Sequence, residues 1–479
     1  MRKLLSLVLP ILFLSPLTAS AQDKKPARPN ILIILCDDLG YGDLGCYDHP
    51  MIRTPNLDKL AKQGMLFTQC YAAAPVCSPS RAGLLTGRCP TRSGVYTWID
   101  PNNPMHLPAN EVTLATLLRR VGYRTAHIGK WHLNGMFNSA KQPQPGDHGF
   151  QHWFSTQNNA APSHENPKNF VRNGKAVGPT KGFSCQVVTD EAIAWLKGGR
   201  DSPDPFFLFV CFHEPHEPVA SPPDLVASYP KARNQDEAQY FANVTNIDVA
   251  AGRLLKTLDE MGAADNTIVF FTSDNGPETL LRYPRGTRSY GSVGVLRGRK
   301  LWLYEGGIRV PGILRWPGKT PAGKTSDEPL WSLDLLPTLS RVAGAKVPAD
   351  RPIDGADFLP ALSGKKIERK TPLFWHYYRA LGEPRVAMRE GDWVILAHAG
   401  PLPQGAGAAL KAGDLEMIKG AKLSTFELYN LRDDISQTKD VAKQEPERLR
   451  AMSERLRAMY REVVAEGPTW DVPAPKKQP

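Results

Sequence analysis

Asn30-Ile31-Leu32-Ile33-Ile34-Leu35-Cys36 is an unbroken apolar run that ends abruptly in Asp37-Asp38. A strand with one wet face alternates apolar and polar residues, so a run without alternation predicts a strand buried on both faces. That burial is supplied by helices packed on either side of a parallel sheet. Three further runs close in the same way. Thr125-Ala126-His127-Ile128-Gly129 leads into Lys130-Trp131-His132, Phe206 to Phe212 leads into His213 and His216, and Thr267-Ile268-Val269-Phe270-Phe271 leads into Asp274-Asn275. Helical patterns such as Leu114 to Val121 and Val249 to Met261 lie between them. The expected fold is therefore α/β, a large mostly parallel sheet sandwiched by helices. Ligands of such sheets bind outside the carboxyl ends of the strands. If the four strands share one sheet, two acids, a Lys and a His, two His and an Asp-Asn pair converge there.

The chain of 479 residues carries a formal charge of +11, with 41% hydrophobic and 22% charged residues, which excludes disorder, collagen and coiled coil as its main description. Met1-Arg2-Lys3, the apolar run Leu4 to Leu14 and Ala19-Ser20-Ala21 have the three parts of a secretory signal peptide over residues 1–21. The protein is thus expected to be exported, periplasmic or secreted, after cleavage near Ala21. The apolar run is shorter than the roughly 20 residues a bilayer span needs, so no stable membrane span is expected. Seven cysteines are too few for a disulfide-stapled scaffold in a chain of this length. Cys36 and Cys211 sit in apolar runs and read as core. The main domain is expected over 22–368, a small C-terminal α+β domain over 369–470 and a disordered tail over 471–479. Within the small domain, 401–423, rich in Gly and Ala, reads as a surface insertion.

The chemistry concentrates in Cys77-Ser78-Pro79-Ser80-Arg81-Ala82-Gly83-Leu84-Leu85-Thr86-Gly87-Arg88. C-x-P-S-R followed by L-L-T-G-R resembles the signature of the formylglycine-dependent sulfatases of the alkaline phosphatase superfamily, nearest by motif spacing to arylsulfatases and N-acetylgalactosamine-6-sulfatases. Gly122-Tyr123-Arg124-Thr125 with Gly129-Lys130-Trp131-His132 is similar to that family's second motif, and Lys300 with Tyr304-Glu305-Gly306-Gly307 to the element carrying its second catalytic lysine. Two residues apart in an extended segment, Lys130 and His132 are expected to point to one side. The resemblance covers 28–345 strongly and 370–445 weakly. Asp433-Asp434-Ile435-Ser436 departs from the D-P-x-E that usually follows E-L-Y-x-L.

The resemblance implies an alkaline phosphatase-like fold and a sulfatase, in which Cys77 is oxidised to formylglycine by a formylglycine-generating enzyme. Asp37, Asp38, Asp274 and Asn275, joined by modified Cys77, are the expected metal ligands. Their oxygens suit Ca²⁺, or Mg²⁺, better than zinc. Arg81, Lys130 and Lys300 would supply fixed positive charge, His216 would protonate the leaving oxygen, and His132 would take the proton that releases sulfate. His213, Asn158 and Asn159 are the expected substrate contacts. Between 279 and 304 the chain has Arg282, Arg285, Arg288, Arg297, Arg299 and Lys300 with no Asp or Glu, a run that would attract a sulfated polysaccharide or oligosaccharide. Nucleic acid is not an expected partner, since the chain is expected to be exported. A formylglycine-dependent phosphate mono- or diester hydrolase, and an inactive glycan-binding homologue, are the alternative readings.

Overall fold

The computed structural model describes residues 28–279, 289–382, 384–400 and 410–472. The expected signal peptide, Arg282, Arg285, Arg288 and residues 473–479 lie outside the described residues. The main sheet is built from β1 (Asn30–Cys36), β2 (Met65–Tyr71), β3 (Arg124–Lys130), β4 (His152–Thr156), β5 (Val171–Arg172), β6 (Lys175–Ala176), β7 (Phe206–Cys211), β8 (Thr267–Ser273), β9 (Arg309–Arg315), β10 (Lys324–Ser326) and β11 (Leu330–Trp331). Its order is β10-β2-β9-β8-β1-β7-β3-β4-β5-β6, with β11 also on β2. The four strands read from the sequence are neighbours, β8-β1-β7-β3, and all pair in parallel. Their polar endings therefore meet on one edge.

Parity explains why these runs are apolar throughout. Ile31, Ile33 and Leu35 pack into one core with Leu84 and Leu85 of helix Cys77–Thr86 and Leu336 of helix Leu335–Ala343. Leu32, Ile34 and Cys36 pack into the other, with Leu57 of helix Pro55–Gln63, Val188 of helix Ser184–Gly198 and Val244 of helix Gln235–Glu260. Every residue of such a strand meets a hydrophobic layer. The helix expected from Val249 begins 14 residues earlier, at Gln235. Its buried polar residues Asn243, Asn246 and Asp248 hide the apolar stripe.

The second sheet is antiparallel: β12 (Leu373–His376), β13 (Pro384–Glu390), β14 (Trp393–Ala399) and β15 (Leu423–Asn430), in that order. It shares one continuous core with the main domain, where Trp375 packs on Tyr71 and donates its Nε1–H to the Ala72 carbonyl at 2.8 Å. Residues 401–409 of the expected surface insertion lie outside the described residues. The rest of it is not a surface excursion, because Asp414–Gly420 is helical and Leu410, Asp414, Ile418 and Leu423 are buried. Val472, expected in the disordered tail, packs against the core. Cys36 and Cys211 are core residues as expected, and all seven cysteines are free thiols.

The C-terminal helix Pro446–Glu466 is tied to the segment after the Cys77 helix by ion pairs. Arg92 makes a two-pronged contact with buried Asp354 (3.0 and 3.1 Å) and reaches Glu466 and Glu462, both at 2.8 Å. Arg88 bridges Glu111 and Glu466. Removing one member of a buried pair strands the other charge, so Arg92→Ala is expected to cost about 3–5 kcal/mol in urea unfolding. Glu462→Ala, whose side chain is 62% exposed, should cost less than about 1 kcal/mol.

Candidate active site

Asp37 and Asp38 follow β1, and Asp38 turns the chain with a left-handed backbone, φ 65°. Asp274 and Asn275 leave the adjacent β8, so the two pairs lie side by side: the Asp38 amide donates to Asp274 Oδ1 at 3.2 Å and Asn275 Nδ2 to Asp38 Oδ1 at 2.7 Å. Gly129, one residue before Lys130, is held at φ 114°, and a Cβ there would lie 1.8 Å from the Cys211 carbonyl oxygen. Only glycine lets β3 close on β7 at this point. Cys77 begins a helix whose ten residues are all buried, and Arg81 follows one turn on.

Three cations face three acids. Lys130 Nζ contacts Asp37 Oδ2 at 2.5 Å, Lys300 Nζ contacts Asp38 Oδ2 at 2.7 Å, and Arg81 donates from Nε and a terminal nitrogen to Asp274 Oδ2 at 3.0 and 2.8 Å. All six side chains are at most 5% exposed. Burial pushes Asp38 up to about 8 against the pull of Lys300, and burial with the charge of Asp37 pushes Asp274 up to about 6 against Arg81. Burial also penalises ionised Asp37, but Lys130, His216, Arg81 and Lys300 together hold it well below the usual carboxylate range.

The acids still have capacity to bind. Asp37 Oδ1 and Asn275 Oδ1 are buried and accept no hydrogen bond, and one ligand atom each from Asp37, Cys77 and Asp274 lie within 4.8 Å of one another. Oxygen acceptors left open beside carboxylates fit a hard divalent cation. Such a cation would supply the counter-charge that burial withholds from Asp38 and Asp274, and would leave the cluster positive overall, as an anionic substrate needs.

Two histidines on this edge carry the proton on the same ring nitrogen, Nε2, but their partners leave opposite nitrogens open. His132 Nε2 lies 3.1 Å from the Ile99 carbonyl, which can only accept, so the proton sits on Nε2. Its Nδ1 is then a lone-pair acceptor, buried and without a partner. For His216, Lys130 Nζ donates to Asn159 Oδ1 at 3.4 Å, which turns the Asn159 amide nitrogen toward His216 Nδ1 at 3.2 Å. Nδ1 accepts, and the proton of His216 is on Nε2, 3.6 Å from Asp38 Oδ2. Burial keeps both rings well below the usual histidine range, so both are neutral.

A cavity of about 370 Å³ opens above Cys77, lined among others by His132, Asn158, Asn159, His216 and Lys300. The structure thus brings together Cys77, Arg81, Lys130, His132, His216, Lys300, Asp37, Asp38, Asp274 and Asn275. The reason expected for Lys130 and His132 needs correcting: His132 lies beyond the strand with a left-handed φ of 58°, and its approach to the cavity comes from that turn rather than from strand alternation. His213, expected to touch substrate, does not line the cavity. It is fully buried, bonded to Thr156 Oγ1 at 2.8 Å and packed edge-on against Phe170. Trp98, Asp100, Glu217 and Glu278 line the cavity and were not singled out from the sequence. Glu278, three residues past Asn275 and 3.4 Å from Lys300 Nζ, could have been found from its place after a functional strand end. Trp98 and Asp100 sit in an irregular segment that carries no periodic signal.

Cation binding should be visible without turnover. Titrating Ca²⁺ or Mg²⁺ into chelator-treated protein is expected to raise the thermal midpoint, with about 2.7 kcal/mol of stabilisation at 100 times the dissociation constant. Asn275→Ala should remove most of that rise.

A family model described as Sulfatase matches residues 29–345. The chain is 34% identical to the steryl-sulfatase of Rattus norvegicus over 448 residues, covering 77% of this chain and 76% of that protein. It is 37% identical to the N-acetylgalactosamine-6-sulfatase of Canis lupus familiaris over 391 residues, covering 77% and 71%. The crystal structure of Ps i-CgsB in complex with k-i-k-neocarrahexaose superposes with a TM-score of 0.78 at 27% identity, covering 92% of this chain and 94% of the other. With this fold, these motifs and this edge of charged residues, the chain belongs to the sulfatase family and is a sulfuric ester hydrolase.

Proposed function

We propose that the protein is an exported sulfatase that cleaves sulfate monoesters on sulfated polysaccharides or their oligosaccharides, using formylglycine made from Cys77 and a Ca²⁺ or Mg²⁺ ion held by Asp37, Asp38, Asp274 and Asn275. The observation that carries this reading is the position of Cys77: first residue of a buried helix, on the cavity wall, with its Sγ beside the carboxylates of Asp37 and Asp274. Burial pushes the thiol up to about 12, so an unmodified Cys77 is no thiolate at neutral pH. Its Sγ stands where an oxygen of the hydrated aldehyde would lie.

When present, the hydrated aldehyde supplies one hydroxyl to attack sulfur and a second whose deprotonation restores the carbonyl. The cation, when bound, supplies Lewis acidity toward the sulfate oxygens. The remaining work falls to side chains already in place. Lys130 and Lys300 put fixed charge against the sulfate, and Arg81, anchored on Asp274, adds a third positive group that needs no reorganisation. His216, with its proton on Nε2, is suited to protonate the departing alcohol oxygen. His132, with an open lone pair on Nδ1, is suited to accept the proton whose loss frees sulfate.

Glycan substrates are favoured over small metabolites by the leader-like N-terminus, by the arginine-rich stretch around 282–299 and by two of the similar proteins, one named for N-acetylgalactosamine-6-sulfate ester cleavage and one solved with an oligosaccharide. The modification implies a formylglycine-generating enzyme as a maturation partner.

Peptide mass spectrometry of protein from a host able to modify sulfatases should find the Cys77 peptide about 18 Da lighter than the thiol form. A Cys77 that stays a thiol while a control sulfatase in the same host is converted would sink the reading. His216→Ala, in modified protein, is expected to lower kcat on sugar sulfates by about 10²–10⁴-fold.

A further inference from the structure

The cavity is also lined by groups that the hydrolysis described above does not use. Trp98 is half-buried, and its Nε1–H donates to Asp100 Oδ1 at 3.2 Å, which fixes the plane of the indole at the cavity wall. Asp100 is exposed, and among the described residues nothing is bonded to its Oδ2. Glu217, one residue past His216, is 1% exposed and lines the cavity; its Oε1 accepts from the Tyr290 amide at 3.4 Å, and the Ser289 hydroxyl faces the same carboxylate. A carboxylate in a cavity wall with few donors around it is a ready acceptor for an incoming hydroxyl or amide.

We infer that this wall is a leaving-group subsite for a singly sulfated, otherwise uncharged sugar ring, with Trp98 as its stacking face and Asp100 and Glu217 as acceptors for its hydroxyl or amide donors. The inference rests on the sulfatase reading and narrows its substrate. An indole face beside carboxylate acceptors matches a sugar, which has a C–H face and donors at its rim. A sterol would cover both carboxylates without offering them a donor, and a site built around hydrogen-bonding acceptors rejects a ligand that leaves them unpaired. A second sulfate or a uronate on the same ring would bring like charge against Asp100 and Glu217, whereas Lys130, Lys300 and Arg81 are already paired with Asp37, Asp38 and Asp274. The two faces of the cavity thus divide the substrate. One takes the anion, and the other takes the neutral polyol that leaves.

The test uses full-length protein carrying the aldehyde and four esters: an N-acetylhexosamine monosulfate, the same sugar with two sulfates, a steroid sulfate and 4-nitrophenyl sulfate. The kcat/KM for the monosulfated sugar is expected to exceed those for the disulfated sugar and the steroid by at least about tenfold. Asp100→Asn should lower that value about tenfold and that for 4-nitrophenyl sulfate, whose ring offers Asp100 no donor, by much less. Glu217→Gln keeps the shape and removes the charge, and should narrow the gap between the two sugars. A preference for the steroid or the disulfated sugar, or an equal loss on all four esters in the variants, would overturn the inference. If no ester is cleaved although the aldehyde is present, the proposed hydrolysis fails on its own. Calorimetry of the same ligands with Cys77→Ala then decides the subsite: tighter binding of the monosulfated sugar sustains it, and equal or tighter binding of the steroid sulfate overturns it.

Discussion

Three acids and three cations are buried together at the carboxyl edge of the sheet, and the architecture around them follows from keeping them paired. Taking one charge out of water costs several kcal/mol, and a partner repays it only at close range and good geometry. Lys130, Lys300 and Arg81 come from three distant parts of the sequence, and each must reach one of Asp37, Asp38 and Asp274. Parallel strands in the order β8-β1-β7-β3 put all three carboxylates and one lysine within a single row of strand ends. Arg81 enters from the helix above and Lys300 from the loop before Glu305, so the row is closed from two sides.

That requirement extends to the small domain. Arg88 and Arg92 follow the Cys77 helix directly and are pinned by Glu462 and Glu466 of the last helix, while the chain beyond it continues to brace the same segment. Tyr96 donates to the Pro468 carbonyl and Trp470 to that of Gly94, both at 2.7 Å. The braced loop is the one that carries Trp98 and Asp100 into the cavity. Among the described residues, 446–472 contribute nothing to the cavity lining, yet they brace the loop that does.

The parts legible in the sequence are those where one physical demand leaves one residue type. Burial on both faces fills the middle of β1, β7 and β8 with apolar residues, and the functional groups had to appear where that demand stops. Asp37, Lys130, His216 and Asp274 were readable for this reason. Helix Gln235–Glu260 was half-hidden because Asp248 faces inward to accept from the amides of Asn56 and Leu57, capping another helix, and so breaks the stripe. His213 looked like a site residue because it follows a strand with His216. Its ring turns instead to Thr156 on β4, a contact between strands distant in sequence. Trp98 and Asp100 were illegible, since their role comes from tertiary bracing of an irregular loop.

Backbone strain marks where the site overrides local preference. Asp38 and His132 both sit at positive φ, a region that non-glycine residues occupy rarely and at a cost of order 1–3 kcal/mol. At Asp38 the turn aims one carboxylate oxygen at Lys300 and the other at Asn275. At His132 it brings the ring under the Ile99 carbonyl, and that single contact decides which nitrogen keeps a lone pair. A relaxed, extended His132 would continue the direction of β3 and lose the partner that sets its tautomer. The strain at His132 is therefore linked to the contrast between the two rings, since it leaves the Nδ1 lone pair of His132 open where His216 leaves its Nε2–H. A fold that satisfied every local preference could still bind an anion on this edge, but it would not hold one histidine ready to give a proton and the other ready to take one.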